Sequence, residues 1–165
     1  MSDIACRCCE KNRREKASWG PGPWQDEPDR VPWEHAGLPC ILRRNLFGAW
    51  CGYVGVPPGH PCRAKIGRDA ETRQLDAHGG ITYTAECHGC VCHEPKPGEA
   101  EDLWWLGFDC AHAGDTQPAL DQMLRRHESP SMLRFLEGDH YWTLAEVKVE
   151  TERLAEQLAV MGAET

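Results

Sequence analysis

Within seven residues the chain carries Asp109, His112 and Asp115, with Gly114 loosening the backbone between the last two. Imidazole and carboxylate move protons near neutral pH and also ligate divalent transition metals. Two further histidines stand at chain breaks: His60 in Pro57-Pro-Gly-His-Pro61, and His78 before Gly79 and Gly80. Two chemistries fit these five residues. In one, imidazoles and carboxylates hold zinc or manganese. In the other, no metal is needed: His78 and His112 act as base and acid for phosphodiester cleavage, and Asp109 orients one of them. Asp115 and His60 then complete the pocket or hold a metal. Both depend on three separated turns meeting at one place.

A second cluster is Cys87-His-Gly-Cys-Val-Cys-His93. Cys87 and Cys90 have the two-residue gap of a zinc half-site, and Cys92 or His93 can add a third ligand. The fourth would come from Cys6, Cys8 or Cys9, or from Cys62. The expectation is a structural zinc on Cys87, Cys90, Cys92 and His93. The competing reading is a loop of reduced, unliganded cysteines. Cys40, Cys51 and Cys110 fall in apolar runs and read as small core residues.

Glycine inside a strand costs stability and marks a close approach. Gly55 shares a strand face with Tyr53, and Gly107 shares one with Asp109. A face cleared in this way and flanked by Tyr53 and Trp105 would take a flat ligand such as a base or sugar ring. The alternative is tight packing of a helix against the sheet.

These groups must be positioned by strands. Alternating apolar residues predict strands over 40–46, 49–56, 81–85 and 103–110. Trp50, Gly52, Val54 and Val56 share one face of the second, and Cys51, Tyr53 and Gly55 the other. Thr116 and Pro118 open a short helix that runs through His127 and stops at Ser129-Pro130. Thr143 and Glu146 form a capping box for a long C-terminal helix. Its Leu144, Val147, Thr151, Leu154, Leu158 and Met161 make a narrow stripe that fits packing on its own sheet or, as the second reading, a homo-oligomer seam. The fold class is therefore α+β: a mostly antiparallel sheet of about four to six strands, a short helix and a long C-terminal helix. Residues 1–37, rich in cysteine, tryptophan and proline, read as an arm strapped down by Trp19, Trp24 and Trp33. Residues 38–165 read as a single α+β domain.

The formal net charge is −8 over 165 residues. Bulk nucleic-acid binding needs a positive surface and is excluded as a class; a small phosphate ligand is not. No run approaches a membrane span, and the N-terminus lacks a signal-type apolar region. A cytosolic setting is expected, in which ten cysteines would not form a disulfide framework.

Three runs carry a resemblance: Trp50-Cys-Gly-Tyr-Val-Gly-Val-Pro-Pro-Gly-His-Pro61, His78-Gly-Gly-Ile-Thr-Tyr83, and Trp104-Trp-Leu-Gly-Phe-Asp-Cys-Ala-His-Ala-Gly-Asp115. With Thr143 to Leu158, they resemble a family of small proteins of tailed bacteriophages and prophages, common in phages of actinobacteria. The resemblance implies a host-cell setting and an accessory, counter-defence role on a small nucleotide-type signal. Three readings follow from it. A hydrolase would cleave a phosphodiester with His78 and His112. A sponge would sequester the ligand on Tyr53, Gly55, His60, Trp105 and Gly107. An interaction module would bind a host protein through the arm and the last helix.

Overall fold

The computed structural model describes residues 7–127 and 140–164. Its centre is a five-stranded antiparallel sheet in the order β1-β2-β3-β5-β4. The strands are β1 (Arg30–His35), β2 (Leu38–Arg44), β3 (Trp50–Val56), β4 (Tyr83–Glu86) and β5 (Trp104–Asp109). Helices α1 (Arg7–Glu15), α2 (Pro118–Arg126) and α3 (Leu144–Ala163) complete the regular structure. The α+β class is as the sequence predicts.

The central strands are buried on both faces, their side chains alternating between two packed layers. On one face Trp50, Val54 and Val56 meet Leu106 and Phe108, and α3 covers them with Val147, Leu154, Ala155 and Leu158. Burying each leucine contributes about 1.5–3 kcal/mol. Gly52 lets the helix settle: a Cβ there would collide with the Thr151 hydroxyl and the Phe108 ring. The α3 stripe thus packs on its own sheet. The opposite face carries Ile41, Cys51, Tyr53 and Trp105, closed over by Val91 and Leu103 from the 87–103 connection. The capping box forms as predicted, with the Thr143 N–H donating to Glu146 Oε2 at 2.8 Å.

The arm is more structured than its composition predicts. Arg30–His35 is not a loose strap but the edge strand β1, registered on β2 from Arg30↔Arg43 to His35↔Leu38. An edge strand tolerates Pro32, because one side of its ladder needs no donor. The tryptophan anchoring holds: Trp19 is buried, Trp33 packs on the core, and Trp24 lies edge-on to Tyr141 at 5.0 Å. The charged run after the first cysteines is helix α1. Cys6, the side chain of Cys8 and the predicted helix stop at Ser129-Pro130 lie outside the described part.

One buried ionic cluster ties this arm to the domain. Glu27 accepts from Arg44 Nη2 at 2.6 Å, from Trp50 Nε1 at 3.2 Å, from the Tyr141 hydroxyl, and through Oε1 from the Leu144 N–H at 2.8 Å. The fully buried Arg44 also donates to the Gly48 carbonyl at 2.7 Å and stacks over Trp50. Burial pushes the Glu27 carboxyl upward. The hydrogen bonds from Leu144 and Tyr141 and the Arg44 charge outweigh that push and hold it below the ordinary glutamate value. Among the described residues, no helix is long and apolar enough to cross a membrane.

Candidate functional site

Three of the residues singled out by sequence meet at the end of β5. Beyond Asp109 the chain turns sharply, with the Asp115 N–H donating to the His112 carbonyl at 3.0 Å and Gly114 at a φ of 91°. The turn folds the Asp115 carboxylate back, and its Oδ2 accepts from the His112 N–H at 2.9 Å. His78 arrives from the other side, on the turn closed by the Gly80 N–H and the Ala77 carbonyl. Gly79 makes the meeting possible. Its φ is 67°, and any Cβ there would run into the His112 ring.

The resulting geometry is tight. His78 Nε2 lies 2.7 Å from Asp115 Oδ2, and His112 Nδ1 lies 3.6 Å from the same oxygen. The two imidazole rings stand edge to face at 5.1 Å. Asp115 is nearly buried, while the histidine side chains are 23% and 35% exposed, so the corner opens toward solvent on its imidazole side. His112 Nδ1 itself is shut off from water and has no hydrogen-bond partner among the described residues. The donor atoms of His78, His112 and Asp115 all lie within 4.8 Å of one another. This group can hold a metal ion.

Outer partners fix the carboxylates. Trp142 donates through Nε1 to Asp115 Oδ1 at 2.9 Å, and its ring lies 4.4 Å from that of His78. Trp142 is brought there by the bridge between Asp115 and His140, in which each strand exchanges a backbone hydrogen bond. Sequence reasoning passed over Trp142; its position just before the Thr143 cap was the available signal. Asp109 sits one step away, with Oδ1 at 3.9 Å from His112 Nδ1. Thr82 donates to its Oδ2 at 2.7 Å, and the Ala111 N–H donates to its Oδ1 at 3.1 Å. Asp109 also lines an open groove of about 500 Å³, together with Tyr53, Thr82, Tyr83 and Phe108.

Other predicted site residues lie elsewhere. His60 is buried against α3: its Nδ1 accepts from the Cys62 N–H at 3.0 Å, so Nε2 carries the proton donated to the Leu158 carbonyl at 2.8 Å. It anchors the 57–62 turn and does not join the corner. The glycine-cleared face is filled from within. Gly107 lies opposite Tyr53, whose ring a Cβ would meet at 2.6 Å, and Tyr53 packs edge-on against Tyr83 at 5.0 Å. Gly55 makes room for Leu103, and Trp105 is fully buried. Packing by Leu103 and Tyr53, and not by the helix of the alternative reading, accounts for Gly55 and Gly107. Tyr53 alone of this set also lines the groove.

The cysteine cluster differs from the zinc half-site expected of it. Cys87 and Cys92 are joined as a disulfide, which removes both sulfurs as thiolate ligands. Cys90 is buried with Arg43 Nη1 3.4 Å from its sulfur, and His93 lies edge-on to Trp105. Cys62, the proposed outside ligand, is in the α3-side core. Cys40, Cys51 and Cys110 are buried as predicted. Burial pushes the Cys40 thiol up to about 12.

Comparison of the chain with protein-family models, with curated proteins and with solved structures returns no match.

Proposed function

We propose that the His78–His112–Asp115 corner is the metal centre of a small hydrolase, with zinc as its ion. In this reading the protein is a phage-type accessory protein that cleaves a phosphodiester in a nucleotide-type ligand. The observation that carries the proposal is convergence: two imidazole nitrogens and one carboxylate oxygen lie within 4.8 Å of one another, and His112 Nδ1 has no hydrogen-bond partner among the described residues. Zinc bonds of about 2.0–2.2 Å set tetrahedral ligands about 3.3 Å apart. The observed separations of 2.7 and 3.6 Å from Asp115 Oδ2 bracket that value.

Convergence also distinguishes this reading from metal-free catalysis. A base and an acid acting on one phosphodiester must stand on opposite sides of it. Here both imidazoles turn toward the same carboxylate oxygen. A zinc ion held by His78, His112 and Asp115 would supply an open position for activating water. Asp109, with Oδ1 3.9 Å from His112 Nδ1 and held by Thr82 and the Ala111 N–H, would be the carboxylate beside that group to accept a proton. Trp142 orients Asp115 from behind, the role outer partners play around hydrolytic metals. The phage setting draws its support from the resemblance, whose three motifs also supply His78, Asp109, His112 and Asp115.

The test is metal content followed by turnover. The purified chain should take up one zinc ion, and His112→Ala should abolish uptake. Incubation with a panel of cyclic mono- and dinucleotides, then heat denaturation, should release cleaved ligand. Intact released ligand would mean sequestration without catalysis, and failure to bind zinc would overturn the metal centre.

A further inference from the structure

We infer that the groove lined by Asp109 takes the flat aromatic part of a phosphodiester that carries a single negative charge, and turns away dianionic monoesters and polyphosphates. This rests on the metal centre proposed above and adds the substrate class that its surroundings select.

The groove's size suits a small molecule. Its lining is largely apolar and aromatic, with Phe47, Tyr53, Tyr83 and Leu120 among its residues. Phe47 is 46% exposed, so one aromatic face is free to stack on a planar ligand. Asn45 and Gln117 add neutral amides. Among the described residues lining the groove, Asp109 carries the only charge, and it is negative. Arg43 is not among the lining residues; its Nε is directed at the Tyr53 hydroxyl at 3.3 Å and its Nη1 at the Cys90 sulfur.

Charge counting then sets the preference. A divalent ion beside the Asp115 and Asp109 carboxylates leaves the corner close to neutral. One phosphoryl oxygen can ligate the metal, and a diester's single negative charge is accommodated there. A second negative charge on the same phosphate would face Asp109 with no lysine or arginine in the groove to offset it. Sites that accept polyphosphates present cationic or backbone N–H clamps instead.

The experiment compares bis(p-nitrophenyl) phosphate, an aromatic diester, with p-nitrophenyl phosphate, its dianionic monoester, on the zinc-loaded full chain. The diester should be favoured in kcat/KM by at least about tenfold, the scale of one unfavourable charge contact in a partly shielded site. Gln117→Lys places a cation in the groove; it should narrow that ratio severalfold while zinc stoichiometry stays unchanged. Phe47→Ala should raise KM for the diester more than it lowers kcat. Equal or better use of the monoester overturns the inference. So does a protein that binds zinc fully and hydrolyses neither compound, a result that leaves the metal centre standing. Loss of zinc binding itself would overturn the metal centre instead.

Discussion

Two carboxylates organise this molecule, and they are built from similar parts. Glu27 receives an indole N–H from Trp50, a backbone N–H from Leu144 and the Arg44 guanidinium. Asp115 receives an indole N–H from Trp142, a backbone N–H from His112, and His78. The cations differ. Arginine stays charged, offers only donors and cannot ligate a metal. Arg44, with no exposed surface, closes its cluster and fastens the arm to α3. Histidine brings a lone pair, and at Asp115 one such lone pair, on His112 Nδ1, meets no protein donor. Arg44 Nε, like His112 Nδ1, makes no hydrogen bond among the described residues, but it can only donate and it faces Asp29 Oδ1 at 3.3 Å, so the first cluster offers no lone pair to a metal while the second does. The lesson is that the kind of nitrogen beside the carboxylate, more than burial or net charge, separates a structural ion pair from a reactive corner.

The strongest test of that contrast is Arg44→Leu. Removing one partner leaves Glu27 buried without its cation, and such changes cost about 3–5 kcal/mol. At about 2–4 °C per kcal/mol for a chain of this size, thermal unfolding should fall by about 10 °C. His112→Ala should lower the metal-free melting temperature by far less, because its ring is partly exposed and its Nδ1 makes no hydrogen bond. A smaller loss for Arg44→Leu than for His112→Ala would break the comparison.

Next in size is stabilisation by the ligand. Zinc at about a hundred times its Kd should stabilise the native chain by about 2.7 kcal/mol, and His112→Ala should show no such shift. Differential scanning fluorimetry with and without a chelator reads both. Trp142→Phe sharpens the contrast further. It keeps an aromatic ring beside His78 and removes only the donor to Asp115 Oδ1. Zinc affinity should drop by about 10–100-fold, measured by competition with a chromophoric chelator, with unfolding little changed. An unaltered affinity would show that Trp142 serves packing alone.

The smallest effect is in pH. The Glu27 carboxyl is held below its ordinary value, which is about 4.3, so the native state binds its proton more weakly than the unfolded chain does. Its contribution is fully present above that unfolded value and is lost as pH falls through the depressed native one. Stability should therefore decline below about pH 4.3, and Glu27→Gln should flatten that decline. Denaturant midpoints at a series of acidic pH values would show it, and an unchanged acid slope in the variant would count against the assignment.

How legible each part was depended on whether its cause was local. Strands β3 and β5 show as near-continuous apolar runs, Trp50 to Val56 and Trp104 to Phe108, because both of their faces are buried. Edge strand β1 is only half covered, and Pro32 with the Ala36-Gly37 turn reads like a linker until β2 is laid beside it. The cysteine spacing from Cys87 to Cys92 is the same whether the sulfurs meet a metal or each other. His60 follows a turn signal and His78 precedes one; only the packed fold sends one ring to the Leu158 carbonyl and the other to Asp115.

The chain's order of residues was enough to determine an antiparallel sheet, a capped C-terminal helix and the gathering of ionisable groups after β5, since periodicity, capping and turn chemistry act over a few neighbours. Tertiary structure alone decided which histidines share a carboxylate, that Trp142 stands behind Asp115, and that Glu27 and Arg44 close on each other. His78 and Trp142 stand 37 and 27 positions from Asp115, Arg44 stands 17 from Glu27, and Glu27 also reaches Leu144 across 117. No local pattern encodes such a pairing, because its energy exists only once the sheet has brought both ends of the chain together.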